Sequence, residues 1–293
     1  MLFPAPPVPA FARDQSATTE SHLRYEDVTQ DGRLMPIAIP PALGGLWRAV
    51  VVHHPGATAA ERSGILPILT RMTMTSLATP IRVDRPIESY AGFQLAHARD
   101  DRGTVSRLFM NVWAEIRGRA GTIVPRTPAG PLTAAGRLFA EHTFTRPFGP
   151  PEQRRVTQLG HGFPEVPDAH YAFPAASTAS DAPLGATWID ELAPSPGEIV
   201  LTLDHTDSNQ HVNSLVYIQL FLDALYQRIA TTRRSLKLRS REIDIAYRKP
   251  CFAGDRVRAH LRLFEHQGTL GGAGFIATAD DRPRCYVRAI VEP

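Results

Sequence analysis

The most constraining feature of this sequence is an apolar helical stretch that is followed by several strand-like stretches. Downstream of Ser214, four large apolar residues recur at intervals of four, three and four positions, a spacing that forms one stripe along an α-helix: Ile218, Leu222, Leu225 and Ile229. Strand-like alternation follows at 243–247 and 257–263, and a closing hairpin is predicted within 274–293. Because so apolar a helix must be buried against other elements, we expect an antiparallel sheet to wrap around it.

The segments beside these elements give weaker signals. EIVLTLD (198–204) alternates and is rich in β-forming residues, so it predicts a strand ahead of the helix. GTLGGAGF (268–275) carries four glycines before a strand and is interpreted as a turn or bulge.

A polar segment, HTDSNQHVN (205–213), stands directly before the apolar helix. Asp207, Asn209, His211 and Asn213 alternate along it, and Asn213 or Ser214 would cap the helix. A helix N-terminus offers unpaired N–H groups and the positive end of a dipole, which suits a reactive carbonyl whose oxygen gains negative charge. The simpler alternative is a capped turn, since Asp and Asn commonly satisfy such turns.

The first half of the chain repeats this order of elements with less clarity. We expect a first strand at 22–28, a helix entered at Pro40 and Pro41, a strand pair around a turn at 100–103, and a last strand near 134–147. The two halves share an order of elements without an evident sequence repeat.

Proline separates the two halves. Nine prolines fall within 147–197, a composition that resists both helix and sheet interiors. We therefore predict four parts: a flexible proline-rich arm (1–19), an N-terminal domain (20–146), a connector (147–197) and a C-terminal domain (198–293).

Composition argues against several classes of protein. The formal net charge is +3, which is too small to indicate nucleic-acid binding. The sequence has no run of 18 apolar residues, so no membrane span is predicted. Two cysteines, Cys251 and Cys285, give no disulfide framework, which favours a cytoplasmic location. The adjacent His53 and His54 lack the companions of a metal site, so no metal or cofactor is expected.

Basic residues cluster after the apolar helix. They are interpreted either as a solvated loop or as a docking patch for an acidic partner: Arg228, Arg233, Arg234, Lys237, Arg239 and Arg241.

The run from Asp207 to Asn213, followed by Tyr217 in an apolar helix, resembles the active-site segment of acyl-acyl carrier protein thioesterases of the hotdog fold. The segment 243–261, with its Gly-Asp turn at 254–255, is similar to the strand pair that follows in that family. The resemblance covers residues 195–293. It implies an α+β tandem (double) hotdog, each half an antiparallel sheet around a long central helix, with the catalytic residues in the second half and the first half shaping the acyl-chain pocket.

The chemistry of the residue types gives roles to single residues in such a reaction. Asp207 would be the general base or nucleophile, His211 would orient water or donate to the oxyanion, and Asn209 would polarise the carbonyl. Asn213, Tyr217 and Cys251 are accessory candidates. Plant members of the family have Glu-Cys where this chain has Pro250-Cys251, so the Cys is kept and the water-holding Glu is not.

The expected function is hydrolysis of an acyl thioester carried on an acyl carrier protein, without a cofactor, in fatty acid or polyketide biosynthesis. Two alternatives remain open at this point: a 3-hydroxyacyl thioester dehydratase or hydratase of the same fold, and a non-catalytic acyl-binding or partner protein. The expected assembly is a monomer or a homodimer.

Overall fold

The structure is a computed structural model that describes residues 2–232, 237–280 and 282–293. The strands form one twelve-stranded sheet in which neighbouring strands pair antiparallel. The strands are β1 (Ser16–Ser21), β2 (Leu66–Ser76), β3 (Ile87–Arg99), β4 (Val105–Arg119), β5 (Leu132–Thr145), β6 (Thr187–Trp188), β7 (Ala193–Pro194), β8 (Ile199–Val200), β9 (Arg239–Tyr247), β10 (Arg256–His266), β11 (Thr269–Thr278) and β12 (Pro283–Glu292). The helices are α1 (Pro41–Ala49), α2 (Pro55–Arg62) and α3 (Ser214–Ala230).

The two halves of the chain meet in the middle of this sheet. The strand order is β1-β3-β4-β5-β2-β9-β12-β11-β10-β6, and the short β7 and β8 also pair with β10. β2 and β9 form the junction, where Met72 lies opposite Ile245. The double hotdog architecture expected from the sequence is confirmed.

The second half follows the prediction closely. α3 lies across β10, β11 and β12, and all four stripe residues are buried. The predicted strands at 243–247 and 257–263 and the closing hairpin are confirmed as β9, β10 and β11–β12. Of the glycines in 268–275, Gly268 lies in a turn with φ 75°, as predicted, whereas Gly271, Gly272 and Gly274 correct the prediction because they lie inside the regular part of β11. A Cβ on Gly272 would collide with Leu225, so this glycine lets α3 approach the sheet closely.

The first half departs from the prediction of a long central helix. Its apolar segment forms two short helices, α1 and α2, joined by a 3-10 turn at Val51–His53. Proline explains the break: Pro55 has no N–H for an intrahelical bond and instead starts the new helix, whose first turn is capped by the His54 ring (Gly56 N to Nδ1 3.2 Å). Among the described residues, a long central helix is therefore present in the second half alone.

Two predicted strands are corrected. The segment 22–28 contains a 3-10 turn at Tyr25–Asp27, and the first strand, β1, precedes it. Only Ile199–Val200 of the predicted strand 198–204 is extended in the sheet, because a 3-10 turn at Leu203–His205 ends it. The strand pair around residues 100–103 and the last strand of the first half are confirmed as β3–β4 and β5.

The outer face of the sheet, away from α3, is covered near the junction. Asp244 on β9 is fully buried there and pairs with Arg71 (Oδ2 to Nη2 2.5 Å) and Arg288 (Oδ2 to Nη2 2.9 Å). The connector completes this cluster: Thr178 Oγ1 accepts from Arg71 (2.9 Å), and the Asp181 carbonyl accepts from Arg288 (3.0 Å). The connector therefore packs onto both halves.

The N-terminal arm also lies on this outer face. The carboxylate of Glu242 accepts the backbone N–H groups of Leu2 (3.0 Å) and Phe3 (2.7 Å), and the Phe3 side chain is buried. Further along, the Pro6 carbonyl accepts the indole N–H of Trp113 on β4 (3.0 Å). The arm thus crosses from β9 to β4, and β1 begins inside the range assigned to it. The four-part division of the chain remains a prediction.

No helix among the described residues is long and apolar enough to cross a membrane. Both cysteines are free and buried.

Candidate active site

The polar segment before α3 forms a tight loop closed on itself. Thr206 and Val212 form a β-bridge, the Asp207 N–H donates to the His211 carbonyl (3.1 Å), and the Gln210 N–H donates to the Asp207 carbonyl (2.9 Å). Gln210 has φ 64°, a conformation that turns the chain back. These contacts bring the predicted residues Asp207, His211 and Asn213 to one place.

The carboxylate of Asp207 is held by two neutral donors. Its Oδ1 accepts the backbone N–H of Asn209 (2.9 Å), and its Oδ2 accepts the side-chain amide of Asn213 (3.3 Å). Asp207 is half-buried. Among the described residues no cation forms an ion pair with it.

His211 is half-buried beside Asp207, and its Nδ1 lies 3.2 Å from the carbonyl oxygen of Val212. A carbonyl can only accept, so Nδ1 carries the proton and Nε2 presents a lone pair when the ring is neutral. Asn209 contributes its backbone to the loop, while its side chain is exposed.

The start of α3 supplies the donor group expected there. Asn213 is the N-cap, its Oδ1 accepting the N–H of Leu215 (2.9 Å), which confirms the predicted capping role. The N–H of Ser214 has no acceptor among the described residues. An unpaired N–H at the positive end of a 17-residue helix can stabilise an oxyanion.

Two tyrosines fix the loop to its surroundings. The Val212 N–H donates to the carbonyl of Cys251 (2.9 Å), and the Cys251 N–H donates to the hydroxyl of Tyr217 on α3 (2.7 Å). The Tyr247 hydroxyl donates to the Ser214 carbonyl (3.1 Å). Sequence reasoning did not identify Tyr247 as a site residue, although it lies in the strand predicted at 243–247.

Cys251 and Pro250 differ sharply in exposure. Cys251 is fully buried, and burial raises the pKa of its thiol. A buried thiol above its usual pKa is a poor nucleophile, so the geometry favours a packing role for Cys251. Pro250, which replaces the glutamate of plant family members, is exposed.

Two cavities lie elsewhere in the molecule. One of about 100 Å³ is bounded by α3 and β10, including Leu220 and Val257. The other, of about 340 Å³, lies between α1 and β1. No described residue of the loop 205–213 lines either cavity. Neither cavity therefore matches the acyl-chain pocket that the resemblance implies.

Three arginines of the predicted basic cluster form ion pairs. Arg228 pairs with Asp190 (2.7 Å), while Arg239 and Arg241 both pair with Glu292. Lys237 is exposed, and Arg233 and Arg234 lie outside the described residues. α3 is roughly 25 Å long, since its residues rise 1.5 Å each, so this cluster lies at the opposite end of the helix from Asp207.

The comparisons with known proteins concern the fold and the C-terminal half of the chain. Residues 201–285 match the family model of the acyl-ACP thioesterase C-terminal domain. An acyl-ACP thioesterase from Bacteroides thetaiotaomicron superposes with a TM-score of 0.61 at 14% identity, covering 94% of this chain and 98% of that one. A 12:0-ACP thioesterase from Umbellularia californica gives a TM-score of 0.61 at 14% identity, covering 95% and 94%.

No curated protein sequence matches the chain significantly. The chain therefore has the fold of acyl-ACP thioesterases, and its residues 201–285 match their C-terminal domain.

Proposed function

We propose that the protein hydrolyses an acyl thioester, with Asp207 as the group that activates water. One observation carries the proposal: the Asp207 carboxylate is held by the Asn209 N–H and the Asn213 amide directly before the free N–H of Ser214. A proton acceptor and an oxyanion donor are thus brought together at the start of α3, as thioester hydrolysis requires.

In the proposed reaction, water attacks the thioester carbonyl carbon while Asp207 takes one of its protons. The carbonyl oxygen becomes an oxyanion, which the Ser214 N–H and the positive end of α3 stabilise. Collapse of this intermediate breaks the C–S bond, and the proton held by Asp207 passes to the leaving thiolate. The products are a carboxylic acid, ionised in solution, and a free thiol.

His211 and Asn209 have supporting roles in this proposal. With its Nδ1 proton directed at the Val212 carbonyl, His211 can accept a hydrogen bond from the attacking water through Nε2, which favours water orientation over oxyanion donation. The exposed side-chain amide of Asn209 can polarise the incoming carbonyl without changing its protonation state. Together they would serve in place of the glutamate that Pro250 replaces.

The substrate we propose is an acyl group on an acyl carrier protein. The support is the family model matched by residues 201–285 and the names of the structural neighbours, which are acyl-ACP thioesterases. The open position of the loop at the surface suits a substrate that a second protein delivers from outside.

A thiol-release assay across acyl thioesters of increasing length tests the proposal. Asp207→Ala should lower kcat by about a hundredfold or more, the range expected for loss of a general base. Asp204→Ala is the matched control, because Asp204 is an exposed carboxylate three residues upstream. Circular dichroism should show that both variants are folded.

Other outcomes would contradict hydrolysis. Formation of enoyl product from a 3-hydroxyacyl thioester, without thiol release, would identify a dehydratase. Binding of acyl thioesters without turnover would identify a non-catalytic acyl-binding protein.

A further inference from the structure

The basic side chains near the two ends of α3 differ in whether they form ion pairs. At the C-terminal end, Arg228 pairs with Asp190, while Arg239 and Arg241 share the carboxylate of Glu292. At the N-terminal end, where the Asp207 loop lies, Arg248, Lys249 and Arg256 are exposed and none of them has an ion-pair or hydrogen-bond partner for its side chain among the described residues. Unpaired cations at the loop end can attract an acidic protein over long range.

Backbone hydrogen bonds hold these cations close to the loop. The carbonyl of Cys251, next to Arg248 and Lys249 in sequence, accepts the Val212 N–H (2.9 Å). The preceding segment is joined to the same turn, since the Leu201 N–H donates to the Asp255 carbonyl (2.9 Å) and the Gly254 N–H donates to the Leu201 carbonyl (2.7 Å). Residues 200–205 and 248–256 thus form one surface beside the loop.

This surface also exposes large apolar side chains. Leu203 is 77% exposed, Phe252 is 52% exposed and Val200 is 44% exposed. Single exposed apolar residues are ordinary, but a group of them among unpaired cations has the composition of a protein interface, an apolar centre with a charged rim. The carboxylate of Asp255 accepts the Phe252 N–H (2.9 Å), which leaves Asp204 as the exposed acid of these two segments.

We infer that this loop-side surface, defined as Val200, Leu203, Arg248, Lys249, Phe252 and Arg256, docks the acidic face of the carrier protein that delivers the acyl group. The inference rests on the proposed function and replaces the cluster at 228–241 as the docking site. Charge complementarity argues for an acidic protein, and the position beside Asp207 allows the thioester to reach the loop while the carrier is bound.

Kinetics with three octanoyl thioesters test the inference: one on an acyl carrier protein, one on coenzyme A and one on pantetheine. The test variant is Arg248→Glu/Lys249→Glu. Its matched control is Arg85→Glu/Arg126→Glu, which reverses two exposed arginines at the end of the sheet opposite to Tyr247. An Arg241→Glu variant tests the competing cluster.

We expect the test variant to raise KM for the carrier-bound substrate by about tenfold, since attraction becomes repulsion at two rim positions. The effect should shrink at high ionic strength, because salt screens exposed charges. Coenzyme A and pantetheine substrates, the control variant and Arg241→Glu should stay within about twofold of wild type.

An unchanged KM for the carrier-bound substrate would overturn the inference. An equal rise in KM for the coenzyme A thioester would also overturn it, because the cations would then bind the phosphates of coenzyme A and not a carrier protein. If wild type hydrolyses none of the three substrates, the proposed function fails separately. Binding of the octanoyl carrier to wild type and to the test variant, measured by biolayer interferometry, then decides the docking: weaker binding by the variant supports it and equal binding refutes it.

Discussion

The hydroxyl of Tyr217 accepts the backbone N–H of Cys251 at 2.7 Å, and this contact joins the first turns of α3 to the segment that holds the Asp207 loop. On the other side of Cys251, its carbonyl accepts the N–H of Val212. The position of Asp207 relative to the helix therefore depends on a tyrosine that does not touch it.

Tyr217→Phe should destabilise the protein more than Tyr247→Phe. The first change leaves the buried N–H of Cys251 without a partner, which costs about 1–3 kcal/mol. The second leaves the Ser214 carbonyl with its partner inside α3, so the expected cost is about 0.5–1.5 kcal/mol. Urea unfolding gives the two free energies, and kcat should fall more than KM changes in Tyr217→Phe. The reverse order of stabilities would contradict this account of the loop.

Cys251 should be unreactive in the folded protein. Burial raises the pKa of its thiol, and burial raises that of Cys285 further. Iodoacetamide at mildly alkaline pH should therefore modify neither cysteine until the protein is unfolded, as mass spectrometry would show. Cys251→Ala should retain most of the hydrolysis. Rapid alkylation coupled to loss of activity would instead make Cys251 part of the chemistry.

The stability of the protein should fall in mild acid because of His142. This ring is buried against Trp47, and burial lowers its pKa from 6.5 to about 4. A histidine with a lowered folded-state pKa stays neutral in the fold while the unfolded chain takes up a proton, so stability is full above pH 6.5 and declines as the pH falls towards 4.

The whole difference amounts to roughly 3 kcal/mol. Urea unfolding at several pH values between these limits should show a weaker pH dependence in His142→Gln than in wild type. Identical slopes for the two proteins would show that His142 does not titrate in this way.

The arm should contribute to stability despite its proline-rich composition. Phe3 is 1% exposed, so Phe3→Ala should cost about 3–5 kcal/mol. Val8 is 64% exposed, and Val8→Ala in the same arm is the matched control, with an effect within about 0.5 kcal/mol. Thermal unfolding of both variants distinguishes a packed arm from a flexible one, for which the two substitutions would have equally small effects.

The second half could be predicted because its signals are local. The spacing of Ile218, Leu222, Leu225 and Ile229 follows the period of a helix, and Asn213 carries the side chain that a helix start requires. The loop residues follow from the same stretch, since all of them lie within a few positions of one another.

The remaining features depend on contacts between distant parts of the chain. Asp244 alternates with Ile243 and Ile245, a pattern that predicts exposure, yet the connector and Arg71 bury it. Tyr247 reaches Ser214 from another strand, across more than thirty residues of sequence, and no local pattern encodes that bond. Pro55 could have predicted the break before α2, but the apolar residues on both sides favoured one continuous helix.

The pairing of β2 with β9 has a consequence for any attempt to divide the molecule. Cleavage within the connector would not release two independent modules, because each fragment would carry a bare row of amide and carbonyl groups along the strand that had faced the other. We expect such fragments to reassemble with each other or to aggregate, and the two halves to fold together as one unit.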